Sequence, residues 1–229
     1  WIGIRPGTDG LFAFALIHEL LRMDRIDLDY LVRYANAHWL VVRNPGGADD
    51  GLFARDVDGN VLCWAAAAVG GGAQARADAI DISPAVVGEY TLADGRKVVP
   101  VFQLIAERYL DPQYAPEAVA DRCGIPAGTI RRIARELAEA AFDSNLRLPI
   151  AWTDAWGREH AEMIGRPVSL HAMRGISAHS NGFHTCRALH LLQLLLGAVD
   201  APGSFRYQPP YPKPIPPPNR PGRARREDG

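Results

Sequence analysis

Residues 11–23 are apolar nearly all round until Arg22, a pattern that predicts a helix buried between layers. Thr8 or Asp9 stands where its N-cap belongs, and residues 28–36 read as a short amphipathic helix behind it. The first six residues, Trp1 to Pro6, have the apolar bias of a strand already under way. Residues 52–64 and 89–99 each place an Asp-Gly pair, Asp58-Gly59 and Asp94-Gly95, between apolar flanks, which predicts two β-hairpins. Between them residues 65–79 are rich in Ala and Gly, with a Gly70-Gly71-Gly72 run that favours a mobile loop. Three helices are expected at 101–110, 115–122 and 126–141, then strands at 148–152 and 169–174, and a last apolar helix ending at Gly197. Helices alternating with apolar strands predict an α/β fold carrying β-hairpin and helical inserts. The stretch from Pro202 onward holds nine of the 18 prolines and closes on Arg223-Ala224-Arg225-Arg226, so it is expected to be extended or disordered and to build no core.

Composition narrows the picture. The 229 residues allow one or two domains, and 48% hydrophobic residues suffice for a packed core. A net charge of -1 supplies no field to draw nucleic acid or an anionic membrane to the whole surface. No apolar run reaches the roughly 20 residues that a spanning helix requires, so no direct membrane insertion is expected. Cys63, Cys123 and Cys186 are too few and too scattered for a disulfide framework or a Cys-x-x-Cys metal site, and a reduced, cytoplasmic setting is the plain reading. No signal peptide is visible. The chain opens on Trp1 rather than Met and reads as an internal piece, which leaves a periplasmic setting as the alternative.

The densest chemistry lies at Ser177-Ala178-His179-Ser180-Asn181-Gly182-Phe183-His184-Thr185-Cys186-Arg187, a polar turn with Asn-Gly at its apex feeding an apolar helix. Backbone N–H groups at such a junction form an anion cradle. His179 and Asn181 add donors and acceptors, Gly182 admits close backbone approach, and Arg187, a turn into the helix, can pair with a pyrophosphate. The second candidate is Pro6-Gly7-Thr8-Asp9. An ionised Asp at a helix N-terminus keeps free oxygens, and a carboxylate accepting two parallel N–H bonds matches the N1–H and N2–H edge of guanine. By residues alone Thr8 and Asp9 read more readily as helix caps, since capping residues far outnumber base readers. The spacing of His171, His179, His184 and His190 gives no helical i, i+4 pair, so metal binding by these histidines is not expected. Residues 115–137, two short helices around a Gly124 turn with Thr129-Ile130-Arg131-Arg132 opening the second, have the outline of a helix-turn-helix DNA reader. Across 115–143, however, Arg122, Arg131, Arg132 and Arg135 face Glu117, Asp121, Glu136, Glu139 and Asp143, a balance too acidic to hold a phosphate backbone.

Both turns, in this order and with a Gly-Ile-Pro-Ala helical insert between them, resemble the cofactor-binding segments of the molybdopterin oxidoreductases of the dimethyl sulfoxide reductase superfamily. The resemblance covers roughly residues 1–214, and cues such as Gly88-Glu89-Tyr90-Thr91-Leu92 and Met173-Arg174-Gly175-Ile176 place it nearest the quinone-linked sulfite dehydrogenases. Thiosulfate, tetrathionate and polysulfide reductases and formate dehydrogenases come next. It implies an internal part of the domains that bind bis-(molybdopterin guanine dinucleotide), carrying molybdenum or tungsten. Residues 1–43 and 146–203 are then the two cofactor-binding stretches, 44–100 a hairpin-rich insert, 101–145 a helical insert and 204–229 the Pro-rich tail. Gly7, Thr8, Asp9, His179, Asn181, Gly182 and Arg187 take cofactor-contact roles, with Asp9 reading the guanine. The implied reaction is two-electron oxidation or reduction of a small sulfur oxyanion such as sulfite. The implied partners are an iron-sulfur electron-transfer subunit, together with a membrane quinone-linked subunit.

Two departures qualify that implication. In the family the iron-sulfur cysteines and the metal-ligating residue precede the Pro-Gly-Thr-Asp turn, and the last cofactor-covering domain follows the Pro-rich stretch. None of the three cysteines here has the company to replace them, so the chain by itself is expected to bind and not to catalyse.

Overall fold

A computed structural model describes residues 1–66, 72–79, 82–154 and 157–205, and the Pro-rich tail lies outside the described residues. The fold is mixed α/β, with a helical core on one side and short antiparallel strands on the other. Helix α1 (Asp9–Arg22) runs through the helical core, as its all-round apolar pattern predicts. Around it pack α3 (Val101–Tyr109), α4 (Pro116–Cys123), α5 (Ala127–Ala138) and α6 (Gly182–Leu195), while α2 (Leu28–Tyr34) rests on α6. Ile17, Leu20, Ile125, Ile130, Leu192 and Leu195 are the large side chains sealed inside this core.

Two polar residues of α1 are buried with their partners. A ring nitrogen of His18 donates to the Tyr109 carbonyl at 2.8 Å. The Glu19 carboxylate, 1% exposed, accepts from Arg22 at 2.8 and 3.1 Å and lies 3.7 Å from Arg131, which also pairs with Glu117. The helical insert is therefore tied to α1 by charge as well as by packing. Asp27 does two jobs at the far end of α1. One oxygen accepts the Tyr30 N–H and caps α2, and the other takes Arg166 at 2.7 and 3.0 Å.

The strand side begins with β1 (Leu40–Val42), which pairs with β5 (Lys97–Pro100), with β4 (Tyr90–Thr91) on the far edge of β5. β2 (Leu62–Ala66) pairs with β3 (Gly72–Arg76), and a stacked Trp64–Tyr90 pair closes that core. Two further hairpins pair β6 (Leu146–Leu148) with β9 (Met163–Gly165) and β7 (Trp152–Thr153) with β8 (Glu159–His160).

The Asp94-Gly95 hairpin is present, with Gly95 at φ 88°. The Asp58-Gly59 turn is present too, but its strands meet only at the Arg55–Val61 bridge, because Asp56 organises the turn by accepting from the Asp58 and Asn60 N–H groups. Four expectations fail. Residues 1–5 form no strand and have no partner strand among the described residues, and Pro6 already belongs to the turn before α1. Within 65–79, where a loop is expected, β3 pairs with all of β2, and residues 67–71 lie outside the described residues. The strand expected at 148–152 is split between the end of β6 and the start of β7. Residues 169–173 are irregular and Arg174–Ser177 is a 3-10 turn, because no neighbouring strand among the described residues supplies hydrogen bonds there.

Candidate functional site

The two turns singled out in the sequence, some 170 positions apart, meet. The Pro6-Gly7 pair makes a type II turn: the Thr8 N–H returns to the Arg5 carbonyl at 3.2 Å, and Gly7 adopts φ 80°. Only a residue without a Cβ takes that conformation at no cost, and no atom lies within 4 Å of where its Cβ would stand. Thr8 occupies the N-cap position without capping, since its hydroxyl donates backward to the Arg5 carbonyl at 2.7 Å. Asp9 opens α1, half-buried, and its carboxylate takes no hydrogen bond or ion pair among the described residues. The amides of Asp9, Gly10 and Leu11 likewise find no acceptor there. Neither Thr8 nor Asp9 is thus a side-chain cap, contrary to the plainest reading of the residues.

The second turn mirrors the first. Its 3-10 segment ends at Ser177, and the Gly182 N–H closes back on the His179 carbonyl at 2.9 Å. Gly182 is buried because the chain folds over it. A Cβ there would lie 2.6 Å from the carbonyl carbon of Ser177 and nearer still to its oxygen. Asn181 holds the N-cap position of α6, yet its side-chain amide donates 3.3 Å across to the Gly7 carbonyl. The Phe183 and His184 amides find no acceptor among the described residues. His179 is exposed beside them.

Close packing holds the two turns in register. A Cβ on Gly10 would meet the Thr185 hydroxyl at 2.9 Å, so α1 and α6 approach as nearly as backbones allow. Two helix N-termini lie side by side, each with unpaired amides and each without a side-chain cap, and such amides carry partial positive charge suited to an anion. Arg187 is exposed one turn into α6, with its guanidinium 5.9 Å from the centroid of the Phe183 ring. Sequence reasoning missed Gly10 and Thr185. The signal available for Gly10 was a glycine one residue inside a helix start, where it serves neither turn nor cap.

Two open cavities of about 830 and 710 Å³ flank α2, and none of the seven predicted residues lines either. The smaller adjoins Asp27, Gly197 and Pro202, at the opposite end of α1 and α6 from the two turns, and the larger lies between α2 and residues 77–79 and 82–86. Among the described residues no three His, Cys, Asp or Glu side chains gather as a metal site, and no helix is long and apolar enough to cross a membrane.

Comparison with known proteins decides the family. The chain is 45% identical over 225 residues, 95% of its length, to a sulfite dehydrogenase subunit of Allochromatium vinosum. The chain belongs to the molybdopterin oxidoreductases. It is also 30% identical over 173 residues, 61% of its length, to the perchlorate reductase alpha subunit of Dechloromonas aromatica. Over 90% of its length it is 26% identical to a selenate reductase subunit of Mesobacillus selenatarsenatis. The chain spans 23% of the first of these relatives and 19% of each of the other two. No protein-family model matches it.

Proposed function

We propose that the chain is the part of a molybdopterin oxidoreductase catalytic subunit that holds the nucleotide portion of bis-(molybdopterin guanine dinucleotide), in an enzyme acting on a small sulfur oxyanion such as sulfite. The observation that carries this reading is the convergence of two uncapped helix N-termini, joined by the Asn181–Gly7 hydrogen bond. Had the turns served only to end helices, Thr8 and Asn181 would spend their side chains on the amides that instead stand free. The Asp9, Gly10 and Phe183 amides would receive phosphate oxygens, with Gly7 and Gly182 keeping the backbone low. The Asp9 carboxylate would accept the guanine N1–H and N2–H pair. His179 and Arg187 would flank the phosphates from the exposed side. When bound, the cofactor supplies two-electron redox chemistry at molybdenum or tungsten, and the protein's task is to hold and orient it.

The sulfur-oxyanion substrate rests on the 45% identity to a protein named for sulfite dehydrogenase, and formate is the alternative. The same name, which makes that relative one subunit of several, also supports partners, proposed as an iron-sulfur subunit together with a membrane quinone-linked one. None of the seven residues is a metal ligand in this reading, so the chain alone binds without turnover.

Guanosine diphosphate, titrated calorimetrically into the chain, tests the assignment. Asp9→Asn puts a donor opposite a donor while Asn caps helices nearly as well as Asp. Loss of one charge-assisted bond, about 1.5–3 kcal/mol, weakens affinity roughly tenfold to a hundredfold. Equal affinity of the two proteins would remove Asp9 from the site.

A further inference from the structure

The helix-turn-helix outline of α4 and α5 has no part in the proposed function, yet its turn touches the first cradle at three points. The Arg5 N–H donates to the Cys123 carbonyl at 2.9 Å. The Cys123 thiol, wholly buried, donates to the Thr8 carbonyl at 3.7 Å. Gly124, in the left-handed conformation at φ 73°, lets the Arg5 side chain cross the end of α4, where a Cβ would stand 3.4 Å from Arg5 Cγ. Asn181 grips the same turn through the Gly7 carbonyl.

We propose that the Cys123–Gly124 end of α4 is a positioning element for the cofactor cradle: it fixes the Arg5–Thr8 turn from below and so aims the free amides of Asp9, Gly10 and Leu11. Arg5, Gly7 and Thr8 each have a carbonyl committed to a bond, two of them to groups outside the turn. With these three carbonyls held, the peptide planes on either side of the Pro6–Gly7 apex are fixed, and the amides that follow keep one direction. Buried Glu19, paired with Arg22 and near Arg131, ties the insert to α1 a few turns further on, so the clamp moves with the helix it serves. This inference rests on the proposed cradle for its ligand but not for its mechanical content.

A matched control exists within the chain, because Cys63 is also fully buried and donates its thiol to a carbonyl, that of Arg76, at 3.5 Å on the strand side. The experiment compares the full chain with Cys123→Ala and Cys63→Ala by amide hydrogen exchange, with urea unfolding in parallel. The clamp predicts that the two hydrogen-bonded amides of the 8–12 segment, Thr8 and Phe12, exchange at least about tenfold faster in Cys123→Ala than in Cys63→Ala, once each rate is corrected for global stability. Equal exchange of that segment overturns the proposal. Should Cys123→Ala not fold, Cys123→Val, which keeps the volume filled and removes the donor, is read in the same way. Guanosine diphosphate affinity separates the two claims. Faster exchange with no nucleotide binding by the unmodified chain upholds the clamp and sinks the cradle as a nucleotide site, whereas unchanged exchange sinks the clamp whatever the affinity.

Discussion

Replacing Gly182 with Ala tests whether the second cradle is built as tightly as described. In a helix Ala is ordinarily favoured over Gly by up to about 1 kcal/mol. At Gly182 the added Cβ would lie 2.6 Å from the Ser177 carbonyl carbon and 2.7 Å from its Cα, all backbone, where ordinary carbon contacts begin roughly 1 Å further out. No rotamer change relieves this, so the 3-10 turn at Arg174–Ser177 must move. Overpacking of this kind costs about 1–3 kcal/mol, which outweighs the propensity gain. The control is Gly128→Ala in α5, where the position is exposed and nothing lies within 4 Å of the new Cβ. There the same substitution should stabilise by about 0.4–1 kcal/mol. Urea unfolding followed by circular dichroism reads the two with opposite signs. With a slope of about 1–3 kcal/mol per molar urea, the midpoints separate by a good fraction of 1 M. Equal midpoints for Gly182→Ala and the unmodified chain would show that Ser177 does not sit over Gly182 and would dissolve the geometry of the second turn.

Three further outcomes follow from the same geometry. Glu19→Gln leaves Arg22 and Arg131 facing an amide, so stability should fall by about 1.5–3 kcal/mol in urea unfolding, and an unchanged midpoint would place that carboxylate in solvent. Burial lowers the pKa of His38 below its ordinary 6.5, and its Nε2–H donates to the Ala77 carbonyl. The unfolded chain then takes up a proton that the folded chain refuses, so this contribution is complete above pH 6.5 and is lost as the pH falls below it. His38→Gln should flatten that slope, and parallel stability-pH curves for the two proteins would contradict it. Duplex DNA should bind with a dissociation constant weaker than about 10⁻⁴ M at physiological salt, because Arg131 and Arg132 are engaged by Glu117 and Glu136. A sequence-dependent gel shift at nanomolar protein would restore the DNA-reading alternative.

The helices were legible because their apolar periodicity is long and their ends carry Pro, Gly and Asp. α1 begins at Asp9, and α4 ends against the left-handed Gly124 as Gly at that position signals. Strands were read less well for a physical reason: a strand is stable only against a partner, and the partner is not local. Residues 169–173 have strand-like composition and no neighbouring strand among the described residues, whereas Gly72–Arg76 has poor strand composition and pairs along its whole length with β2. Each half of the candidate site was visible in its own turn, but their meeting was not. Nothing near Gly7 announces Asn181, and the close approach of Gly10 to Thr185 is a property of the packed helices. The pyrophosphate role read for Arg187 came from its distance along the helix, while its position over the Phe183 ring depends on which side of α6 faces solvent.

Because the N-termini of α1 and α6 lie together at one end, and the Asp27 N–H reaches the Leu195 carbonyl at the other, the two helices run parallel. Each carries roughly half a positive elementary charge at its start, so their dipoles repel along their shared length. Most neighbouring helices joined by short loops run antiparallel and enjoy the opposite sign. The Asp9 carboxylate offsets part of this charge in the first turn of α1, and the first turn of α6 has no acidic side chain. Under the proposed function, an anion bound at the paired N-termini would offset this repulsion, so that occupancy of the site and alignment of the central helices would be linked.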